Sequence, residues 1–119
     1  MSYVDGFVLT IKNDKINAYK EMATIGGRLW KKHGALSYME CRGDDLHSEH
    51  CKLPFPTLTK CSADETVFFS FIVYKDKAHR DQVNAAVMAD PEMNAYDPNN
   101  MPLDMEKMSF GGFEAIVEC

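Results

Sequence analysis

The stretch from Asp44 to Cys61, DDLHSEHCKLPFPTLTKC, holds side chains of the types that bind metal ions. A structural zinc site usually presents four ligands as two close pairs, such as C-x₂₋₄-C with H-x₃₋₅-H, each from a tight turn. Here His47 and His50 are three positions apart with Cys51 adjacent, and Cys61 follows ten positions later, beyond two prolines. Because this spacing is unsuitable, we predict a solvated polar loop with two incidental thiols and no stoichiometric metal.

A second set of reactive side chains lies on segments that are otherwise apolar and β-prone. Alternate residues of a strand share a face, and the polar members of these faces are Asp5, then Tyr38, Glu40 and Arg42, then Ser70 and Tyr74. A carboxylate buried among aromatic groups is costly unless paired, and burial raises its pKa towards that of a general base near neutrality. If the protein is an enzyme, we expect Asp5 or Glu40 to accept a proton and Arg42 or Tyr74 to stabilise the anion formed. Tyr38 and Ser70 would line the pocket.

These strand residues also have a purely structural interpretation. Glu40 and Arg42 could form an ion pair, Asp5 could lie near a rim, and Tyr74 could end a strand at the surface. The sequence does not determine which face of the sheet carries them. Both interpretations therefore stay open at this point.

Other short patterns do not indicate a cofactor. His79-Arg80-Asp81 matches the start of a kinase catalytic loop, but Ala86 stands where that motif requires Asn. We interpret the triplet as a helix surface with an i, i+4 ion pair of Asp76 and Arg80. No glycine-rich nucleotide fingerprint accompanies it.

Two further features also have structural interpretations. Gly111-Gly112 is expected to form a bulge in the last strand. His33 is the one candidate haem ligand close to a strand, but its place before Gly34 is explained by an interaction with the carboxyl end of a helix. We expect neither a metal nor a cofactor.

Composition limits the class of protein. A chain of 119 residues forms one domain, 1–119, and its 45% hydrophobic and 26% charged residues are typical of a soluble globular protein. No apolar run approaches the roughly 18 residues of a membrane span. MSYVDGF has neither a basic leader nor an apolar core, so a cytoplasmic location and reduced cysteines are expected. A net charge of −5 argues against nucleic-acid binding.

Changes in the hydrophobic period predict four strands and two helices. We place strands at Tyr3–Ile11, Ala35–Gly43, Thr66–Tyr74 and Met108–Glu118. A helix is expected from a cap at Asn13 or Asp14 to Gly34, with Gly26-Gly27 marking a close approach to the sheet or a kink. A second helix follows a cap at Asp76 and ends at Asp90-Pro91, and the segment NAYDPNNMPLD is expected to be irregular.

The order β-α-β-β-α-β predicts an α+β, ferredoxin-like fold: a four-stranded antiparallel sheet with both helices on one face. The strand VFFSFIV is apolar at both parities, so the face without helices is apolar as well. Leaving about 600 Å² of such surface in water would cost roughly 15 kcal/mol at about 25 cal/mol per Å². A second copy of the chain is the simplest cover, and we expect a homodimer.

Several segments also resemble one family. YVDGFV at the start, ECRGDD after the second strand, FSFIVYKDKAHRDQVNAAVMADP and MPLDMEKMSFGGFE together resemble the YbaA-like family of small uncharacterised bacterial proteins. The resemblance covers nearly the whole chain and departs from the family pattern mainly at LHSEHC. It implies the dimeric α/β-barrel superfamily, in which two ferredoxin-like subunits pack sheet against sheet. Relatives there include cofactor-independent monooxygenases, lactone isomerases and haem-binding enzymes.

Two functions are compatible with these observations. The first is binding or transformation of a small apolar or aromatic compound, without metal or nucleotide, in a monooxygenase- or isomerase-like manner. The second is a non-catalytic dimeric module with structural or interaction roles. A cavity of about 300 Å³ or more with convergent polar groups would favour the first, and a solid core the second.

Overall fold

The computed structural model describes residues 1–95 and 100–119. The strands are β1 (Tyr3–Lys12), β2 (Ser37–Arg42), β3 (Glu65–Tyr74) and β4 (Ser109–Glu114), and the helices are α1 (Ile16–Lys32), α2 (Phe55–Leu58) and α3 (Lys77–Met88). Short 3₁₀ turns occur at Asn13–Lys15, Met93–Ala95 and Met105–Lys107. The predicted βαββαβ order is confirmed, with α2 as an addition inside the long loop. Residues 96–99 of the segment predicted to be irregular lie outside the described residues.

The four strands form one antiparallel sheet in the order β2-β3-β1-β4. The bulge expected at Gly111-Gly112 is wrong, because β4 pairs with β1 in continuous register from Tyr3 opposite Glu114 to Val8 opposite Ser109. A Cβ atom on Gly112 would lie 2.2 Å from the Tyr3 hydroxyl. Glycine at position 112 therefore leaves room for the Tyr3 side chain beside a regularly paired strand.

Helix α1 starts without a side-chain cap at Lys15, so the caps expected at Asn13 and Asp14 are wrong. The Asn13 side-chain oxygen instead accepts a hydrogen bond from the Thr66 hydroxyl, at 2.6 Å. The helix ends as predicted: Gly34 has φ of +114°, a left-handed conformation that glycine adopts without steric cost.

The Gly26-Gly27 pair lies within α1 where the helix approaches β2. A Cβ atom on Gly27 would lie 2.8 Å from Cδ1 of Tyr38, whereas one on Gly26 would lie 3.5 Å from the Tyr38 hydroxyl, an ordinary contact. Of the two expectations, close approach to the sheet is the one observed. The glycines allow the Tyr38 ring to lie directly against the helix.

Helices α1 and α3 cover one face of the sheet and bury two clusters of apolar side chains there. These clusters are Leu29, Ala35, Ile72, Tyr74, Val83 and Val87, and Leu9, Ile11, Tyr19, Ala23 and Phe68. Within the described ranges, no helix is long and apolar enough to cross a membrane.

The opposite sheet face, here called the open face, has no helix against it in residues 1–95 and 100–119. By strand alternation it carries Val8, Met39, Phe69, Phe71, Val73 and Phe113. Met39, Phe69 and Phe113 are 49%, 44% and 63% exposed. The sequence-based expectation of an apolar face without helices agrees with this arrangement.

Candidate functional site

A cavity of about 690 Å³ lies between the helix-covered face of the sheet, α1, α3 and the segment from Met101 to Met108. Its walls are mainly apolar and include six of the eight methionines in the sequence: Met22, Met88, Met93, Met101, Met105 and Met108. Methionine is unbranched and polarisable, so it adapts to ligands of different shape. This volume is within the usual range for small-molecule sites.

Glu40 is the carboxylate of β2 that lines this cavity, and hydroxyl groups surround it. Tyr19 donates to Oε2 at 2.8 Å, Tyr38 donates to Oε1 at 2.9 Å, and Ser70 adds a third hydrogen bond. Burial raises the pKa of Glu40, and the three hydroxyl groups oppose that rise without cancelling it. No ion pair to Glu40 occurs within residues 1–95 and 100–119. Glu40 is thus a hydrogen-bonded acid whose proton is more readily retained than usual.

The pKa of Tyr19, one of the two tyrosines that donate to Glu40, is also shifted. The pKa of Tyr19 is raised, first by burial and then by the negative charge of Glu40. Tyr19 therefore stays protonated and remains a hydrogen-bond donor.

Asp5 lines the cavity on β1 and lies beside Arg80 of α3. The Arg80 guanidinium is 3.3 Å from Asp5 Oδ1 and donates to the Tyr3 hydroxyl at 3.1 Å, with its carbon 4.9 Å from the Tyr3 ring centre. Its Nε lies 3.0 Å from Asp81, at an angle that makes no hydrogen bond. The expected pairing of Arg80 with Asp76 is wrong, because Asp76 caps α3 by accepting from the His79 amide.

A third set of polar side chains, Trp30, Asn84 and Tyr74, is joined by hydrogen bonds at the cavity wall. The Trp30 indole nitrogen is 3.1 Å from the Tyr74 hydroxyl and 3.0 Å from Asn84 Oδ1, and Tyr74 donates to the same Asn84 oxygen at 3.1 Å. Burial, followed by the charge of Asp5, raises the pKa of Tyr74. Trp30 and Asn84 line the cavity, whereas Tyr74 is fully buried behind them.

The predicted site residues divide into two groups by position. Asp5, Glu40, Tyr38 and Ser70 all line the cavity. Tyr74 lies behind the cavity wall, next to the lining residues Asp5, Trp30 and Asn84. Arg42 is exposed in an adjoining outer groove. Two of the structural interpretations are wrong. Tyr74 is buried rather than at the surface, and Glu40 accepts hydrogen bonds from hydroxyl groups rather than forming an ion pair with Arg42.

The cavity is also lined by residues that were not predicted as site residues: Tyr19, Arg80, Asn84 and the methionines. Arg80 and Asn84 are four positions apart and so share one side of α3, a spacing that could have indicated a polar stripe facing the sheet. No local signal separates a methionine that fills a core from one that lines a cavity.

The histidines and cysteines lie away from the cavity. His50 and Cys51 are exposed, and no three His, Cys, Asp or Glu side chains converge on a potential metal site in the parts of the chain that the structure describes. Cys41, Cys51, Cys61 and Cys119 are free thiols. His33 lies 2.8 Å from buried Asp90, an interaction that holds the end of α1 near the end of α3. The absence of a stoichiometric metal stays a prediction.

The chain is similar to known proteins in both fold and sequence. A structure described as a dimeric ferredoxin-like protein from an uncultured marine organism aligns over 100% of both chains, with a TM-score of 0.54 and 11% identity. The sequence is 40% identical over 118 residues to "Uncharacterized protein YbaA" of Escherichia coli strain K12 and of Shigella flexneri, covering 99% of each chain. Residues 2–105 match the family described as "Protein of unknown function (DUF1428)". The chain therefore belongs to the DUF1428 family.

Proposed function

We propose that this protein binds a small apolar or aromatic compound in the cavity between the sheet and its helices, and that Glu40 accepts a proton from it. The observation that carries the proposal is the cavity of about 690 Å³ with Glu40 in its wall. Apolar cavities with a few convergent polar groups are the usual form of small-molecule sites. The function would need no metal or nucleotide and would be isomerase- or monooxygenase-like.

Glu40 is a better proton acceptor than Asp5 because the two carboxylates have different neighbours. Asp5 lies 3.3 Å from the positively charged Arg80, whereas the hydrogen-bond partners of Glu40 in the described parts of the chain are neutral hydroxyls. A carboxylate with a raised pKa is a stronger base. The electron pair left on the ligand would form an anion, which a hydroxyl such as that of Tyr38 could then hydrogen-bond.

Tyr74 and Arg42 would act at longer range than the sequence suggests. Tyr74 holds Trp30 and Asn84 in place, so it is a positioning residue in this proposal. Arg42 would stabilise the anion from the adjoining outer groove rather than from the cavity wall.

The proposed assembly is a homodimer of the α/β-barrel type, formed through the open face. Phe69 and Met39 are exposed on that face beside the half-buried Phe71, and exposure of such an apolar area to solvent is unfavourable. The ferredoxin-like protein with the same fold is described as dimeric, which supports this arrangement.

A cavity-filling variant tests ligand binding. Gly26 lines the cavity and a Cβ there makes only ordinary contacts, so Gly26→Leu should fold and place its side chain in the cavity. Ala18→Leu adds the same residue to the exposed side of α1 and is the matched control. We expect the neutral probe N-phenyl-1-naphthylamine to bind wild type and Ala18→Leu alike and to lose at least about tenfold in affinity for Gly26→Leu. Equal affinity for all three proteins would contradict the cavity as the site.

The non-catalytic dimeric module is the second candidate, favoured by the open face, which could act as an interface without any chemistry. Hydrogen–deuterium exchange of a bound compound distinguishes the proton-accepting site from the non-catalytic module. Compounds that bind the cavity and carry an acidic C–H group should exchange it with deuterated water faster with wild type than with Glu40→Gln, as followed by proton NMR. If wild type and Glu40→Gln give equal exchange for every bound compound, the protein is a binding module and Glu40 is structural.

A further inference from the structure

An outer groove of about 570 Å³ adjoins the cavity and differs from it in charge. Its described lining contains Lys20, Arg28, Lys31 and Arg42, and Glu40 is the single carboxylate there. The groove thus holds four of the 13 Lys and Arg residues and one of the 18 Asp and Glu residues of a chain with net charge −5. This concentration of positive charge runs against the overall charge of the molecule, and it creates a positive local potential.

The four cations come from one side of α1 and from the end of β2. Arg28 is paired with Glu92, and Lys31 donates to the Leu36 carbonyl. Lys20 and Arg42 form no ion pair within the described parts of the chain. Two cations without a carboxylate partner are therefore available to an added anion.

The groove and the cavity share a wall. Tyr19, Ala23, Tyr38 and Glu40 line both concavities, and Phe68 adds a further aromatic side chain to the groove. A molecule lying across this wall would meet an apolar, methionine-rich side and a cationic, aromatic side, with Glu40 between them. Ala23 is the smallest side chain of the wall.

From this geometry we infer that the ligand of the cavity is an amphiphilic anion. Its apolar body occupies the cavity, and its negative group, a carboxylate, sulfonate or phosphate, lies in the groove against Lys20 and Arg42. The guanidinium of Arg42 suits such a group because its planar array of donors matches two oxygens of an oxyanion. This inference rests on the proposed function and specifies the class of compound bound.

The test compares two probes that differ by one charge. 1-Anilinonaphthalene-8-sulfonate carries a sulfonate that N-phenyl-1-naphthylamine lacks, and both fluoresce when bound in an apolar site. The double variant Lys20→Gln with Arg42→Gln removes the two available cations. Lys52→Gln with Lys75→Gln removes two exposed charges elsewhere and is the control for net charge.

We expect the sulfonate probe to lose about tenfold or more in affinity for the Lys20/Arg42 variant, as for the loss of charge-assisted hydrogen bonds. The neutral probe should change less than about twofold, and the Lys52/Lys75 control should bind both probes as wild type does. Added salt should weaken only the sulfonate probe. An equal change for both probes, or none, would overturn the inference and leave the proposed function intact.

The Gly26→Leu variant separates the two failures. If it leaves the affinity of both probes unchanged, the cavity is not the binding site and the proposed function fails. Sulfonate binding that depends on Lys20 and Arg42 but not on Gly26→Leu would indicate an anion site confined to the groove, which also overturns the inferred spanning ligand.

Discussion

Glu40 is the residue on which the proposed chemistry depends, and its protonation is measurable. Burial is the largest influence on its pKa and outweighs the hydrogen bonds from Tyr19, Tyr38 and Ser70. The folded protein therefore binds more protons than the unfolded chain near this pKa. The contribution of Glu40 to the free energy of unfolding should fall as pH rises from the ordinary value of 4.5 through the folded pKa.

We predict that the side-chain carboxyl carbon of Glu40, followed by NMR, titrates with a midpoint above 4.5. The Tyr19→Phe variant should raise the midpoint further, because the Tyr19 hydroxyl stabilises the charged form. Asn17→Ala, at an exposed position of α1, is the control and should leave the midpoint unchanged. A wild-type midpoint at or below 4.5, or a lower one in Tyr19→Phe, would contradict this description of the site.

At the residue scale, alternation along the strands singled out Asp5, Tyr38, Glu40 and Ser70 but did not determine which face of the sheet carries them. The structure brings these four residues to one face and one cavity, and their chemical roles stay predictions. Arg42 has the same parity as Glu40 but lies beyond the cavity, because parity gives the face and not the position along it. The partners from helices could not be predicted, since their placement depends on how each helix lies on the sheet.

At the scale of elements, the two glycines of α1 give a matched pair of substitutions. Replacing glycine by alanine inside a helix is worth up to about 1 kcal/mol in stability where the new methyl group fits. It fits at Gly26 and collides with the Tyr38 ring at Gly27. We predict that Gly26→Ala stabilises the protein by about 0.5–1 kcal/mol and that Gly27→Ala destabilises it by about 1 kcal/mol or more, as measured by urea unfolding. The same change in stability for both variants would show that Tyr38 does not constrain the helix.

An ion pair joins the segment from Met101 to Met108, which closes the cavity, to the sheet. Lys107 Nζ lies 2.7 Å and 2.9 Å from the two carboxylate oxygens of Glu65, whose side chain is nearly inaccessible to solvent. The hydrogen bonds from Lys107, followed by those from Ser62, lower the pKa of Glu65 to about 2.

Because the pKa of Glu65 is lowered on folding, its contribution is present above the ordinary value of 4.5 and is lost as pH falls towards 2. We predict that Glu65→Gln lowers the urea midpoint at pH 7 and that its difference from wild type narrows steadily from pH 4.5 to pH 2. Glu21→Gln, on an exposed turn of α1, is the control and should follow wild type. A difference that stays constant over this range would mean that the charge of Glu65 contributes nothing.

The order of the four strands, α1 and α3 was predictable from changes in the hydrophobic pattern, and the four-stranded sheet with two covering helices follows from that order. The four-residue helix α2 was not predicted. The other errors concern contacts made by particular side chains. Asn13 bonds to Thr66 of a distant strand and therefore does not cap α1. Gly112 accommodates Tyr3, which is 109 positions away in the chain, and no local pattern distinguishes that role from a bulge.

At the scale of the whole molecule, the open face predicts self-association. We expect light scattering at micromolar concentration to give twice the chain mass of 13.5 kDa, with an interface of at least about 1,200 Å². Phe69→Asp should give monomers, because a two-fold interface would bury the new charge from both copies. Leu58→Asp changes an exposed apolar residue in α2, which is not part of the sheet, and should remain dimeric. A wild-type mass of 13.5 kDa would contradict the dimer.

The account as a whole depends on an apolar compound occupying the cavity, and Trp30 allows this to be measured directly. Trp30 is the single tryptophan of the chain and lies in the cavity wall. Its emission overlaps the absorption of N-phenyl-1-naphthylamine, so energy transfer between them reports a probe bound nearby. The measurement is therefore a titration of wild-type protein with this probe, exciting Trp30 and recording the emission of both. We predict saturable transfer with one probe bound per chain, whereas probe binding without quenching of Trp30, or no saturation, would contradict the proposed site.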